Sequence, residues 1–112
     1  MGLGIGPLTN QTALGQALQF SVAVRLDADE SLRSDCVSVE AQAGDTRVSP
    51  SVLRWVVEAG ADAGERTLRV YGAVAIDEPV VTVNVHFNCS TTRLSREFVL
   101  LIDPPSVELP QT

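Results

Sequence analysis

Residues 17–27 read ALQFSVAVRLD, and the fold turns on how that stretch is read. Leu18, Phe20, Val22, Val24 and Leu26 fall on one face of an extended chain, while Gln19, Ser21, Ala23, Arg25 and Asp27 fall on the other. Successive side chains of a strand point to opposite sides, so an apolar period of two marks a half-buried antiparallel strand. The same period recurs in CVSVEAQ (36–42), SVLRWVVE (51–58), RTLRVYGAVAID (66–77), VVTVNVHFNC (80–89) and LSREFVLLID (94–103).

Turn chemistry separates these blocks: AGDTRVSP before Ser51, AGADAG before Glu65, Asp77-Glu78-Pro79, and Asn88 to Thr92. Helix has little room, since only the polar stretch DADESLRSD (27–35) has compatible spacing, for one or two turns. The glycines Gly2, Gly4 and Gly6 lack the preceding strand and following helix of a dinucleotide loop and read as an irregular edge strand. With this N-terminal piece the count is about seven short strands. In a chain of 112 residues that predicts an all-β, immunoglobulin-like antiparallel β-sandwich.

The alternation also names a core. Leu18, Phe20, Val22, Val24, Val37, Val39, Leu68, Val70, Val74, Ile76, Val81, Val83, Val85, Phe87, Phe98, Leu100 and Ile102 are expected inside, with Trp55 partly buried. The run FVLLI (98–102) is apolar on both faces, which predicts a strand inside the sandwich or under a covering segment. Pro104 and Pro105 cannot donate to a ladder, so the strand must stop before them. Residues 1–105 are therefore read as one domain, and 106–112 as the start of a Pro-containing linker.

Composition excludes several function classes. The net charge is −6, there is no Lys, and the eight Arg are scattered, which is the wrong electrostatics for nucleic acid or an anionic membrane surface. No apolar run approaches the roughly 18 to 20 residues that span a bilayer, so no membrane contact is expected of this segment. His86, the sole histidine, alternates to the outer face and has no Gly-x-Ser-x-Gly elbow to meet. Neither the spacing of a structural zinc site, nor a P-loop, nor an EF-hand occurs, so neither metal, nor cofactor, nor catalytic residue is assigned.

Cys36 and Cys89 are too far apart for CxxC chemistry, and leave two readings: a structural disulfide or two buried thiols. Both sit at strand ends beside polar turns, where a small β domain gains from a staple, and the disulfide is the expectation. Closing that loop is worth roughly 4 kcal/mol in the chain-entropy model and implies an oxidising compartment. Cys36 is out of phase with Val37 and Val39, so the pairing requires the chain to bend or bulge at Cys36.

Three stretches carry a family resemblance: LGQAL (14–18), Asp77-Glu78-Pro79 before an apolar strand, and above all RLSREFVLLIDPP (93–105). Together they are similar to the N-terminal periplasmic domain of FimV-type proteins, in which a Leu-x-Arg-Glu-aromatic segment runs through apolar residues into Asp-Pro-Pro. Gly15-Gln16-Ala17-Leu18 stands where the family has Asn-Gln-Pro-Leu, and a cysteine pair is not general there, which suggests a divergent branch. The resemblance implies the periplasmic part of an inner-membrane protein that supports type IV pilus and secretin assembly and twitching motility. It implies a non-catalytic interaction module whose partners are periplasmic envelope or pilus-assembly proteins, with unpaired sheet edges as docking elements. Peptidoglycan contact would come through a neighbouring module. The alternative is a glycan-binding module in its own right, for which Trp55 and Tyr71 are the available aromatic platforms.

Overall fold

Each alternating block pairs with a neighbour as an antiparallel ladder, and the ladders assemble into two sheets. The computed structural model describes residues 4–27, 31–89 and 92–104. Among these, eight strands form: β1 (Gly4–Asn10), β2 (Ala17–Arg25), β3 (Val37–Ala43), β4 (Thr46–Arg47), β5 (Leu53–Ala59), β6 (Glu65–Ala75), β7 (Val80–Cys89) and β8 (Thr92–Leu101). One sheet has the order β1-β2-β6-β5 and the other β4-β3-β7-β8. In immunoglobulin lettering these are A-B-E-D and C′-C-F-G, so the sandwich expected from the period is the one formed.

The eighth strand is β4, inside the segment read from sequence as a turn. Gly44 and Asp45 form a two-residue turn between the paired Ala43 and Thr46, and Gly44 takes φ of 58°, which favours glycine. Two residues of strand leave no periodicity to detect. The expected helix at 27–35 reduces, among the described residues, to one 3₁₀ turn at Ser34–Cys36. Residues 28–30, and the linker expected at 106–112, lie outside the described residues.

Register places the apolar face of each strand against the other sheet. Phe20 lies opposite Val70 and Val22 opposite Leu68 in one sheet, while Val85 lies opposite Val39 and Val83 opposite Ala41 in the other. Phe20 and Phe87, one from each sheet, are the largest fully buried side chains. Leu26, Leu32, Ala41, Val48, Leu53 and Cys89 join the core as well. Leu32 sits in a polar stretch and Val48 in a turn, so neither had a period to betray it.

Two core expectations need correcting. Val74 is in phase with buried Val70 and Ile76, yet 42% exposed. The reason is a bulge: beyond the last β5 rung, Gly72 opposite Leu53, the register of β6 on β2 shifts between Tyr71 (opposite Gln19) and Ala75 (opposite Ala17), so the alternation breaks across Val74 and resumes at buried Ile76. Phe98 is half-buried, because β8 is an edge strand.

The reading of FVLLI is corrected as well. Leu100 and Ile102 point inward and are buried, but Val99 and Leu101 are 59% and 70% exposed. An apolar run on both faces is also what a strand with an open outer face looks like, and period alone does not say what lies over it.

Removing either central aromatic should leave a void between the sheets. Phe20→Ala or Phe87→Ala is expected to lower stability by about 3–5 kcal/mol, read from the midpoint of urea unfolding.

Candidate functional site

The two ends of the sandwich are closed by different chemistry. At one end Cys36 and Cys89 form a disulfide, with Cα atoms 5.1 Å apart, between the start of β3 and the end of β7. The bend that the sequence demanded at Cys36 is the 3₁₀ turn Ser34–Cys36, which rotates the cysteine out of the strand's alternation. The bond therefore joins neighbours in one sheet, whereas the antibody-type disulfide links strands of opposite sheets. The other sheet is fastened to the same turn, because the Trp55 indole Nε1 on β5 donates to the Ser34 carbonyl at 3.0 Å.

That contact decides how the candidate aromatics are placed. Trp55 lies opposite Val70 and so shares the inner face of its sheet, whereas Tyr71 lies opposite Arg54 and Gln19 and stands on the outer face. The structure does not bring them together. Tyr71 has Arg69 on the same face, held by Glu58 Oε1 at 3.0 Å, and this hydrogen bond raises the guanidinium pKa above its ordinary value.

At the opposite end the backbone is stitched. The Leu14 N–H donates to the Asp103 carbonyl (2.9 Å) and the Gly15 N–H to the Ile76 carbonyl (2.7 Å). The Ile76 N–H donates to the Gln16 carbonyl (2.9 Å), and the Ile102 N–H to the Pro79 carbonyl (2.8 Å). Thr12, buried in the same first loop, accepts from the Gln19 N–H and donates to the Gln19 carbonyl. LGQAL, the Asp77-Glu78-Pro79 turn and the Ile102-Asp103 ending, far apart in sequence, thus meet at one place and bond each other directly or through one neighbouring residue.

Two apolar features lie at this stitched end. On the outer face, Val80 lies opposite Leu101 and Thr82 opposite Val99, making a patch of exposed aliphatic side chains. Between the sheets opens a groove of about 310 Å³ whose lining includes Val48, Val52 and Val74, with Asp77, Glu78 and Arg47 around it.

Three of the four edge strands are guarded, the exception being β5, which runs seven residues with neither proline nor bulge. β1 carries Pro7 and a bulge between Ile5 and Leu8, and β4 is only two residues long. On β8, Arg96 stands opposite buried Val85, placing a charge in a core-facing phase. Each of these is a known obstacle to adding a further strand.

One polar arrangement escaped the sequence reading. His86 Nδ1 lies 2.8 Å from Ser95 Oγ and Nε2 lies 3.0 Å from Glu40 Oε1, while Arg47 donates to Glu40 Oε2 at 3.2 Å. The line crosses β8, β7, β3 and β4 on the outer face. No local motif could have found it, because Glu40 and His86 are brought together only by the register of β3 on β7. Glu40 is shared with Arg47, and the arrangement acts as a cross-strand polar ladder, with pairs worth about 0.2–1 kcal/mol. Within the described residues no group of three or more His, Cys, Asp or Glu could hold a metal ion.

The family model described as the FimV N-terminal domain, an Ig-like domain, matches residues 3–105. No curated protein matches the chain, and no solved structure does.

The disulfide end should report on itself. Reduction is expected to remove up to about 4 kcal/mol, with a melting temperature lower by many degrees. Trp55 fluorescence should shift to the red in the reduced protein as its hold on Ser34 loosens. His86→Ala, by contrast, should change stability by less than about 1 kcal/mol in the same melts.

Proposed function

The chain belongs to the FimV N-terminal Ig-like domain family, and on that premise we propose that it is a non-catalytic interaction module of the bacterial periplasm. It is the extracytoplasmic part of a FimV-like inner-membrane protein and docks to envelope or pilus-assembly proteins, supporting type IV pilus and secretin assembly and twitching motility. In its family this domain is extracytoplasmic, and the Cys36–Cys89 bond fits an oxidising compartment.

The observation that carries the docking role is the exposed aliphatic patch of Val80, Val99 and Leu101. Clustered apolar side chains on an outer sheet face lose hydration free energy only when a partner covers them, which is why such patches mark interaction sites. Peptidoglycan contact is left to a neighbouring module, because Trp55 and Tyr71 stand on opposite faces and do not form one stacking platform.

Val99→Ser with Leu101→Ser, introduced into the full-length membrane protein, tests this directly. Both side chains are exposed, so the domain should stay folded with a melting temperature within a few degrees of the parent. Twitching zones and the secretin multimer band should be strongly reduced. Unchanged motility and assembly in a folded double variant would overturn the assignment of this patch.

A further inference from the structure

We propose that the groove at the stitched end of the sandwich is a docking site for an extended segment of a partner protein that carries an aliphatic side chain flanked by Lys or Arg. This deepens the interaction role proposed above and rests on it.

The starting point is Val74, an aliphatic residue in core phase by sequence that the fold leaves 42% exposed because β6 bulges against β2 between Tyr71 and Ala75. It lines one wall of a groove of about 310 Å³, and Val48, which is buried, and Val52, half-buried, line it too. Leaving a core-phase aliphatic side chain half in water forgoes part of its burial free energy, and a partner side chain entering the groove restores it. Concavity distinguishes this place from the flat outer patch, since a groove surrounds a single side chain on several sides.

Charge sets the chemistry of the occupant. Asp77 and Glu78 are both exposed on the rim, and among the described residues the only lining cation, Arg47, is already engaged by Glu40 at 3.2 Å. Glu78 is positioned against the β3–β4 turn, where a Cβ added at Gly44 would lie 2.9 Å from its carboxyl group. An apolar floor with an uncompensated acidic rim complements an aliphatic residue with cationic neighbours and repels an acidic segment. The net charge of −6 adds long-range attraction of the same sign.

The test is a titration of the 15N-labelled 112-residue chain, disulfide intact, with three blocked hexapeptides: KVKVKV, EVEVEV and KSKSKS. KVKVKV is expected to shift the amide signals of Val48, Val52, Val74 and Ile76. Val74→Ser, and separately Asp77→Asn with Glu78→Gln, should each weaken it at least tenfold, while Val56→Ser, at an exposed position of β5, leaves it unchanged. The other two peptides should bind at least tenfold more weakly. Shifts centred on Val80, Val99 and Leu101, equal binding of EVEVEV or KSKSKS, or no shifts at millimolar KVKVKV would each overturn the proposal.

Photo-cross-linking of the full-length protein in cells separates this from the broader docking reading. An adduct from position 74 that the Asp77→Asn, Glu78→Gln pair abolishes supports the groove. An adduct from position 101 with none from position 74 overturns the groove and leaves the docking role standing. No adduct from either position overturns both.

Discussion

The mutual burial of the two inner sheet faces is the constraint on which the rest of this domain depends. Leu18, Phe20, Val22, Val24, Leu68 and Val70 from one sheet, and Val81, Val83, Val85 and Phe87 from the other, are almost wholly removed from water. Because side chains alternate, slipping any of these strands by one residue would exchange its buried face for its polar one. Register is therefore specified along β7, and along β2 and β6 as far as the shift between Gln19 and Ala17. The edge strands inherit it from them.

Burial between flat faces closes the middle of a sandwich but not its ends, and here each end has its own device. The disulfide end uses side chains: Cys36 bonds Cys89, and Trp55 reaches across from the other sheet to Ser34. The opposite end uses backbone, joining residues 14–16 to Ile76 and Asp103, and Ile102 to Pro79. A backbone seam of this kind tolerates side-chain variety along its length. It also leaves room between its turns, which is where the groove and the aliphatic patch are found.

That asymmetry gives the functional reading its shape. Bulge, proline, shortness or an inward-phase charge disfavours strand addition at β1, β4 and β8, three of the four edges, and β5 is the exception. Four of the exposed aliphatic residues, Val74, Val80, Val99 and Leu101, are instead gathered at the stitched end, with Asp77 and Glu78 beside them, while Val56 stands apart on β5. A partner that meets this end meets apolar surface and negative charge together, a combination that selects by both burial and sign.

Much of this was legible from the residues alone. ALQFSVAVRLD and VVTVNVHFNC declare strands because a period of two is a local property, and the antiparallel sandwich follows from several such strands in a chain of one domain's length. The ending RLSREFVLLIDPP declares the family for the same reason: its pattern is contiguous. What lies over a strand is not local. Whether Val74 and Leu101 are covered depends on where β6 bulges against β2 and on which face of β8 meets the other sheet, and only the pairing decides that. The same holds for the His86–Glu40 contact and for the bonds that bring Leu14 to Asp103. Sequence by itself determined which face of each strand is apolar; tertiary structure decided which of those faces found a partner, because burial is a property of two surfaces and each strand encodes only one.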